Sequence, residues 1–211
     1  MPAPLDARQH SPATLRNREP ILAVLQAVLP ATGTVLEISS GTGEHAVFFA
    51  SRLKPRQWLP SDPNPIARAS IAAWREELPA DNLHPPICLD VRDRVWAVEQ
   101  DEAKKYEPIR AIANINMIHI SPWAACLGLM AGAERILPTG GILYLYGPFK
   151  QSGEHTAPSN AQFDQSLQLQ NPEWGVRDLE EVIAVAQAQD LTLLKTVAMP
   201  ANNLSVVFQR R

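Results

Sequence analysis

Val35-Leu36-Glu37-Ile38-Ser39-Ser40-Gly41-Thr42-Gly43-Glu44-His45 is the stretch that decides the fold. A short apolar run ends in small residues and glycines, and an amphipathic segment starts at once. That order is strand, tight turn, helix N-terminus, the arrangement by which α/β proteins turn backbone N–H groups and the positive end of a helix toward a ligand. Gly41-Thr42-Gly43-Glu44-His45-Ala46 matches the G-x-G-x-x-G/A fingerprint of dinucleotide sites, and Asp62 follows Gly43 by 19 residues, close to the spacing of a ribose-binding acid. A nicotinamide cofactor is therefore one reading. Glu37 points elsewhere: a carboxylate four residues before Gly41 repels a pyrophosphate but suits a ligand tail that carries an ammonium group.

Working outward, apolar runs and helical stripes alternate. Strands are expected at Thr34–Ser39, Gln57–Ser61, Pro86–Leu89, Ile109–Ile115 and Gly141–Tyr146. Between them lie helical patterns: Ile21, Val24, Leu25, Val28 and Leu29, capped by Asn17; Glu44–Leu53; Ile66, Ala69, Ala73 and Trp74; a weaker one over Arg94–Lys105; and Leu127, Met130 and Ile136. Five alternations predict a parallel, doubly wound sheet with helices on both faces. After residue 150 the pattern changes to a polar connection, Gln151–Asn171, with a short helix near Ala161–Leu169. A further helix with Val176, Leu179, Val182, Ile183 and Ala186 follows. Thr192–Met199 and Leu204–Gln209 then form an antiparallel hairpin, which a fully parallel dinucleotide sheet lacks. Residues 1–16 read as an N-terminal arm and 17–211 as a single domain.

Composition narrows the function classes. Hydrophobic content of 45% against 19% charged residues describes a folded globular chain. No apolar run approaches the roughly 20 residues that span a bilayer, and the net charge of −3 gives no footprint for nucleic acid. Cys88 and Cys126 lack metal-ligand spacing and read as reduced, packed thiols in a cytoplasmic protein. Glu154-His155 is too short a cluster to assign a metal.

The Glu37-x-x-x-Gly41-x-Gly43 turn, Asp62 after the second strand, Asp90 after the third and the closing hairpin together resemble the class I S-adenosylmethionine-dependent methyltransferases. Arg16-Asn17-Arg18, Ser39–His45, Asn116–Trp123, Trp174–Asp178 and Met199–Asn203 are similar, more narrowly, to the methyltransferase-like 26 family, and the likeness covers about residues 14–211. It implies a Rossmann-like methyltransferase fold of seven strands, S-adenosylmethionine as cofactor and a small-molecule acceptor. Carried over residue by residue, Glu37 and the Gly41–Gly43 backbone receive the methionine portion, Asp62 the ribose hydroxyls and Asp90 the adenine amino group, with Val91 against the ring. Asn114 is counted with them, His45 touches the cofactor's carboxylate, and Arg16 and Asn17 fold over the cofactor. Ser39 stands where the class has its first glycine, so the turn is expected to keep φ negative there. Both Asp62 and Asp90 precede expected helix starts and could instead be N-caps.

The acceptor is expected beyond the fourth and fifth strands, among Asn116, His119, Trp123, Tyr146 and Phe149. His119 is the candidate base or orienting group, with Asn116 and Tyr146 beside it; a structural histidine satisfied by a backbone carbonyl is the equal alternative. A nicotinamide-dependent oxidoreductase and a non-catalytic cofactor binder are the alternatives.

Overall fold

The computed structural model describes residues 6–101 and 105–211. In chain order the elements are α1 (Pro12–Val28), β1 (Thr34–Ile38), α2 (Glu44–Arg52), β2 (Gln57–Ser61), α3 (Pro65–Glu77), β3 (Ile109–Ile115), α4 (Trp123–Ile136), β4 (Ile142–Gly147), β5 (Phe149–Gln151), β6 (Glu154–His155), α5 (Pro158–Gln170), β7 (Arg177–Asp178), α6 (Leu179–Gln187), β8 (Leu191–Met199) and β9 (Asn203–Arg210). The main sheet has the order β2-β1-β3-β4-β9-β8. The first four strands are parallel, and β9 joins both β4 and β8 antiparallel, so the expected terminal hairpin is present.

Successive residues of the central strands feed two cores, as the two-residue period of a strand requires. Ile112, Leu143, Leu145, Val206 and Phe208 face α4 and α6. Ala111, Ala113, Tyr144, Tyr146 and Val207 face the side where α1 and α2 bury Ile21, Leu25, Val47 and Phe49. A sheet covered on both faces explains why Ile109–Ile115 reads as an almost unbroken apolar run.

The main sheet has six strands, not seven. Where a third strand was expected at Pro86–Leu89, the chain touches β2 only through isolated parallel bridges, Trp58 with Leu83 and Ser61 with Ile87. His84 and Ile87 donate to Trp58 O and Pro60 O, but Pro85 and Pro86 between them have no N–H to continue the ladder. Four further expectations change. α1 begins at Pro12, where proline suits a first turn, so Asn17 lies inside the helix and caps nothing. α3 buries Ala67, Ser70 and Ile71 and leaves Ile66 63% exposed, because its packing partner is the backbone at Gly43. In place of a helix over Arg94–Lys105 there is a 3-10 turn at Ala97–Glu99, and residues 102–104 lie outside the described residues. The polar connection after residue 150 takes part in a second sheet, β6-β5-β7, in which the two-residue turn between β5 and β6 places both Ser152 and Gly153 at positive φ and β7 comes from beyond the connection. Cys88 is exposed, while Cys126 is buried and its thiol is pushed up to about 12.

Residues 6–11 are held along α3 and at the start of α2. Gln9 N donates to Ser70 Oγ (2.8 Å), Trp74 Nε1 donates to Gln9 O (2.9 Å), and Ser11 N donates to Glu44 Oε2 (2.6 Å). Among the described residues no helix is long and apolar enough to cross a membrane.

Candidate functional site

From β1 the chain passes to β2 on one side and later returns to β3 on the other, so the carboxyl ends of β1 and β3 flank a topological switch point, where open α/β sheets hold ligands. A cavity of ≈ 190 Å³ opens there, lined by Glu37, Ser39, Ser40, Gly41, Thr42 and His45 from the first turn, by Ile115 and Asn116 beyond β3, and by Ser11, Ala13, Thr14 and Asn17 around the start of α1. A second cavity of ≈ 160 Å³ shares Ser39 and Ile120 with it and continues to Asp90, Val91 and Arg92. A third, ≈ 380 Å³, shares Ala13, Asn17 and Asn116 with the first and runs to Tyr146, Phe163 and Pro200. The three form one connected groove over the strand ends.

The turn at its centre is under conformational strain. Ser39 has φ 55°, in the left-handed region and opposite to the negative φ expected, and Gly41 (φ 55°) and Gly43 (φ 89°) are left-handed too. For serine this costs of order 1–2 kcal/mol. The two glycines serve different ends. A Cβ on Gly41 would meet nothing within 4 Å, whereas one on Gly43 would lie 2.7 Å from Ile71 Cα, so Gly43 is what lets α3 pack against the turn.

Glu37 is 2% exposed and accepts a hydrogen bond from Trp58 Nε1 (2.9 Å); burial pushes its carboxyl up to about 7. Asp62 accepts from Gly41 N (3.0 Å) and Asn64 N (2.9 Å), which ties the ends of β1 and β2 together. The cap of α3 is Asn64, whose side chain accepts from Ile66 N, and no helix starts after Asp90. The capping explanation thus fails for both aspartates. Asp90 is instead gripped by Arg92, whose Nη2 lies 2.6 Å from Oδ2 and holds the carboxyl below its usual range. Val91 is 5% exposed on the wall of the same cavity. Asn114 is buried; its Nδ2 donates to Ile38 O (3.2 Å) and its Oδ1 has no partner. His45 is stacked on Phe49, and burial drives its imidazole down to about 4. The neutral ring donates from Nε2 to Asn17 Oδ1 (2.8 Å), and Asn17 is in turn hydrogen-bonded to the Tyr146 hydroxyl.

Of the residues expected around the acceptor, Asn116 and Tyr146 line the third cavity and the other three do not. His119 is wholly buried against Phe149 and held neutral, its pKa lowered to about 3 by burial; a Cβ on Gly147 would come within 2.4 Å of its Nε2. Phe149 belongs to the α4–α6 core. Trp123 lies under Arg177 beside a separate cavity of ≈ 450 Å³, whose Asp164 is already paired with Lys150 (3.0 Å) and His155 (3.1 Å). Arg16, expected over the cofactor, lines the third cavity and not the first.

Sequence reasoning missed Glu44, which anchors Ser11 and thereby closes α1 over the first cavity, and Ser159, Asn160 and Phe163 of α5. Asn202-Asn203 reads in the sequence most simply as turn chemistry, with the family likeness leaving a site role open. Ala201 (φ 57°) and Asn202 (φ 58°) are both left-handed, and Asn160 Nδ2 donates to Asn202 O (2.9 Å), so this turn is a built wall of the third cavity.

Solved methyltransferases share the architecture. The chain is similar to the S-adenosylmethionine-dependent methyltransferase SibL in its apo form (TM-score 0.74, 15% identity), to the mitomycin 7-O-methyltransferase MmcR (0.75, 12%), and to CalO1, a methyltransferase of calicheamicin biosynthesis in its SAH-bound form (0.71, 17%). Each match covers 94% of this chain but only 55%, 54% and 55% of the respective structure, so the chain spans little more than half their length. At such identities the likeness establishes the fold. The family model described as "Protein of unknown function (DUF938)" matches residues 8–210, and the chain belongs to that family.

Proposed function

We propose that the protein is an S-adenosylmethionine-dependent methyltransferase acting on a small molecule. The observation that carries this reading is Glu37: a buried carboxylate on the wall of the cavity made by the glycine turn, at the switch point of a sheet shared with methyltransferases. A pyrophosphate laid in the same cavity would face that carboxylate, which disfavours the nicotinamide reading. The similarity to the methyltransferase-like 26 family agrees with the methyltransferase assignment.

The residues present fit the cofactor. Glu37, beside open space at Gly41, would hold an ammonium group, and its carboxyl, raised by burial, would ionise on meeting that charge. Asp62 would receive ribose hydroxyls on lone pairs left free by Gly41 and Asn64. Asp90 and Val91 would hold the adenine edge and face, and Asn114 would supply a buried acceptor oxygen that otherwise lacks a partner. When bound, S-adenosylmethionine supplies a methyl group on a sulfonium, which passes to a nucleophile as the carbon–sulfur bond breaks and sulfur keeps the electron pair.

The chain's own contribution is proximity and exclusion of water. Asn116, left-handed at φ 64°, stands between the first and third cavities. Tyr146, whose phenol burial raises above its ordinary value, stays protonated and acts as a donor, oriented by Asn17 and His45. His119 takes a structural part, filling the space beneath Gly147. The single-domain reading of 17–211, with residues 6–11 folded onto α3, belongs to the same proposal.

Thermal shifts with S-adenosylmethionine, S-adenosylhomocysteine and NADH test the assignment; a ligand at about 100 times its dissociation constant stabilises by roughly 2.7 kcal/mol. Stabilisation by the two sulfur ligands is expected, and stabilisation by NADH alone overturns the proposal. With an identified acceptor, Tyr146→Phe is expected to lower kcat while sparing the S-adenosylhomocysteine shift; unchanged kcat removes Tyr146 from the site.

A further inference from the structure

The third cavity is neutral but for one lining side chain. Among its lining residues Arg16 alone is charged, and it is exposed. Asn17, Asn116, Asn160, Asn203 and the Tyr146 hydroxyl give the rest of the wall neutral donors and acceptors, with no acid to serve as counter-ion. Three arginines elsewhere are held: Arg92 by Asp90, Arg135 by Glu99, and Arg177 by the carbonyls of Ile118 and Ser121. The Arg16 guanidinium has no hydrogen bond or ion pair to the described residues, although its charge is felt at the Tyr146 hydroxyl. A positive group facing a partly enclosed, otherwise neutral cavity attracts an anion and repels a cation.

Ala13, Asn17 and Asn116 line both the first and the third cavity, so the atom that receives a methyl group must lie at their end. Arg16 lines only the third cavity. The wall opposite is pinned: the left-handed Ala201 and Asn202 close the β8–β9 turn, and Asn202 Nδ2 donates to Ser159 Oγ (3.2 Å) on α5. Strain retained in a wall of this kind marks a shape that the surrounding structure enforces.

Resting on the methyl-transfer reading, we propose that the acceptor is a small carboxylate, its anionic group paired with Arg16 and its nucleophilic atom beside Asn17 and Asn116, which line the first cavity as well. Guanidinium geometry matches a carboxylate through two parallel hydrogen bonds, which a neutral amide of the same shape cannot reproduce. The carboxylate is the handle; the methyl group goes to another atom of the same molecule.

The test uses the full chain saturated with S-adenosylhomocysteine, titrated calorimetrically with 4-hydroxybenzoate, 4-hydroxyphenylacetate and 4-hydroxybutyrate and with the neutral primary amide of each. At least one acid is expected to bind about tenfold or more tightly than its amide. Arg16→Gln is expected to erase that preference, and Arg16→Lys to restore part of it. Equal binding of acid and amide, no binding of any acid at millimolar concentration, or a preference that survives Arg16→Gln overturns the proposal. Failure of the cofactor reading shows separately, as a chain that takes up neither S-adenosylmethionine nor S-adenosylhomocysteine; the acid–amide comparison is then made on the free chain.

Discussion

The first cavity and the third lie side by side and share three residues, yet they are built in opposite ways. The first takes most of its lining from one contiguous turn, Glu37–His45, with the strand end at Ile115 and Asn116 and the start of α1 closing over it. The third is assembled from α1, the end of β4, α5 and the β8–β9 turn, segments spread from Ala13 to Asn203. A contiguous turn carries its function in local spacing, because a helix start and a strand end fix where its backbone points. An assembled cavity exists only after the sheet has brought its walls together.

The glycines of the turn break this comparison open most sharply. Gly43→Ala places a Cβ against Ile71 at a left-handed position and is expected to destabilise the fold by about 3 kcal/mol in denaturant unfolding. Gly41→Ala, left-handed but facing open space, is expected to cost about 1 kcal/mol in stability. Its larger effect falls on S-adenosylhomocysteine affinity. If the two variants lose stability equally, the division between a packing glycine and a ligand glycine is wrong.

Glu37 supplies a pH test of the first cavity. Its carboxyl titrates at about 7 in the folded chain against 4.5 ordinarily, so the folded state keeps a proton that the unfolded state releases. That contribution is complete below pH 4.5 and is lost as pH rises through 7. Glu37→Gln removes it, so the stability of the parent relative to the variant is expected to fall with rising pH across this window, by up to about 3 kcal/mol. A difference that stays flat between the two pH values shows that Glu37 is not the buried acid described. The third cavity has no comparable buried acid and its ligand affinity is expected to lack this dependence.

The smallest effect is expected at Ser39. Ser39→Gly relieves a left-handed serine whose hydroxyl makes no hydrogen bond to the described residues, and is expected to stabilise the chain by about 1 kcal/mol in chemical unfolding. Destabilisation would mean that the serine side chain holds the turn.

The corrections have particular causes. Pro85-Pro86 was visible in the sequence and should have ruled out a regular third strand, since two adjacent residues without N–H cannot continue a ladder. Asn17 with Pro20 reads as a helix start, but Pro12 offers an earlier one, and the partners of Asn17, His45 and Tyr146, lie far along the chain. The stripe on α3 was offset because Ser70 is buried there, its hydroxyl donating to Thr42 O (2.7 Å), a burial that no apolar pattern signals. The sequence leaves His119 equally a base or a structural histidine, and its burial, a property of the folded surroundings, favours the structural part.

Sequence alone determined four of the five alternating strands, the antiparallel hairpin, and the placing of Glu37 within the first strand and of Asp62 and Asp90 after the next two apolar segments. These follow from periodicity and chain order, which are local. Tertiary structure decided that Ser39 turns left-handed, that Arg16 faces the third cavity, and which of two neighbouring glycines packs and which faces open space. Each of those depends on what stands across a gap of a few ångströms, and the residue standing there comes from another part of the chain.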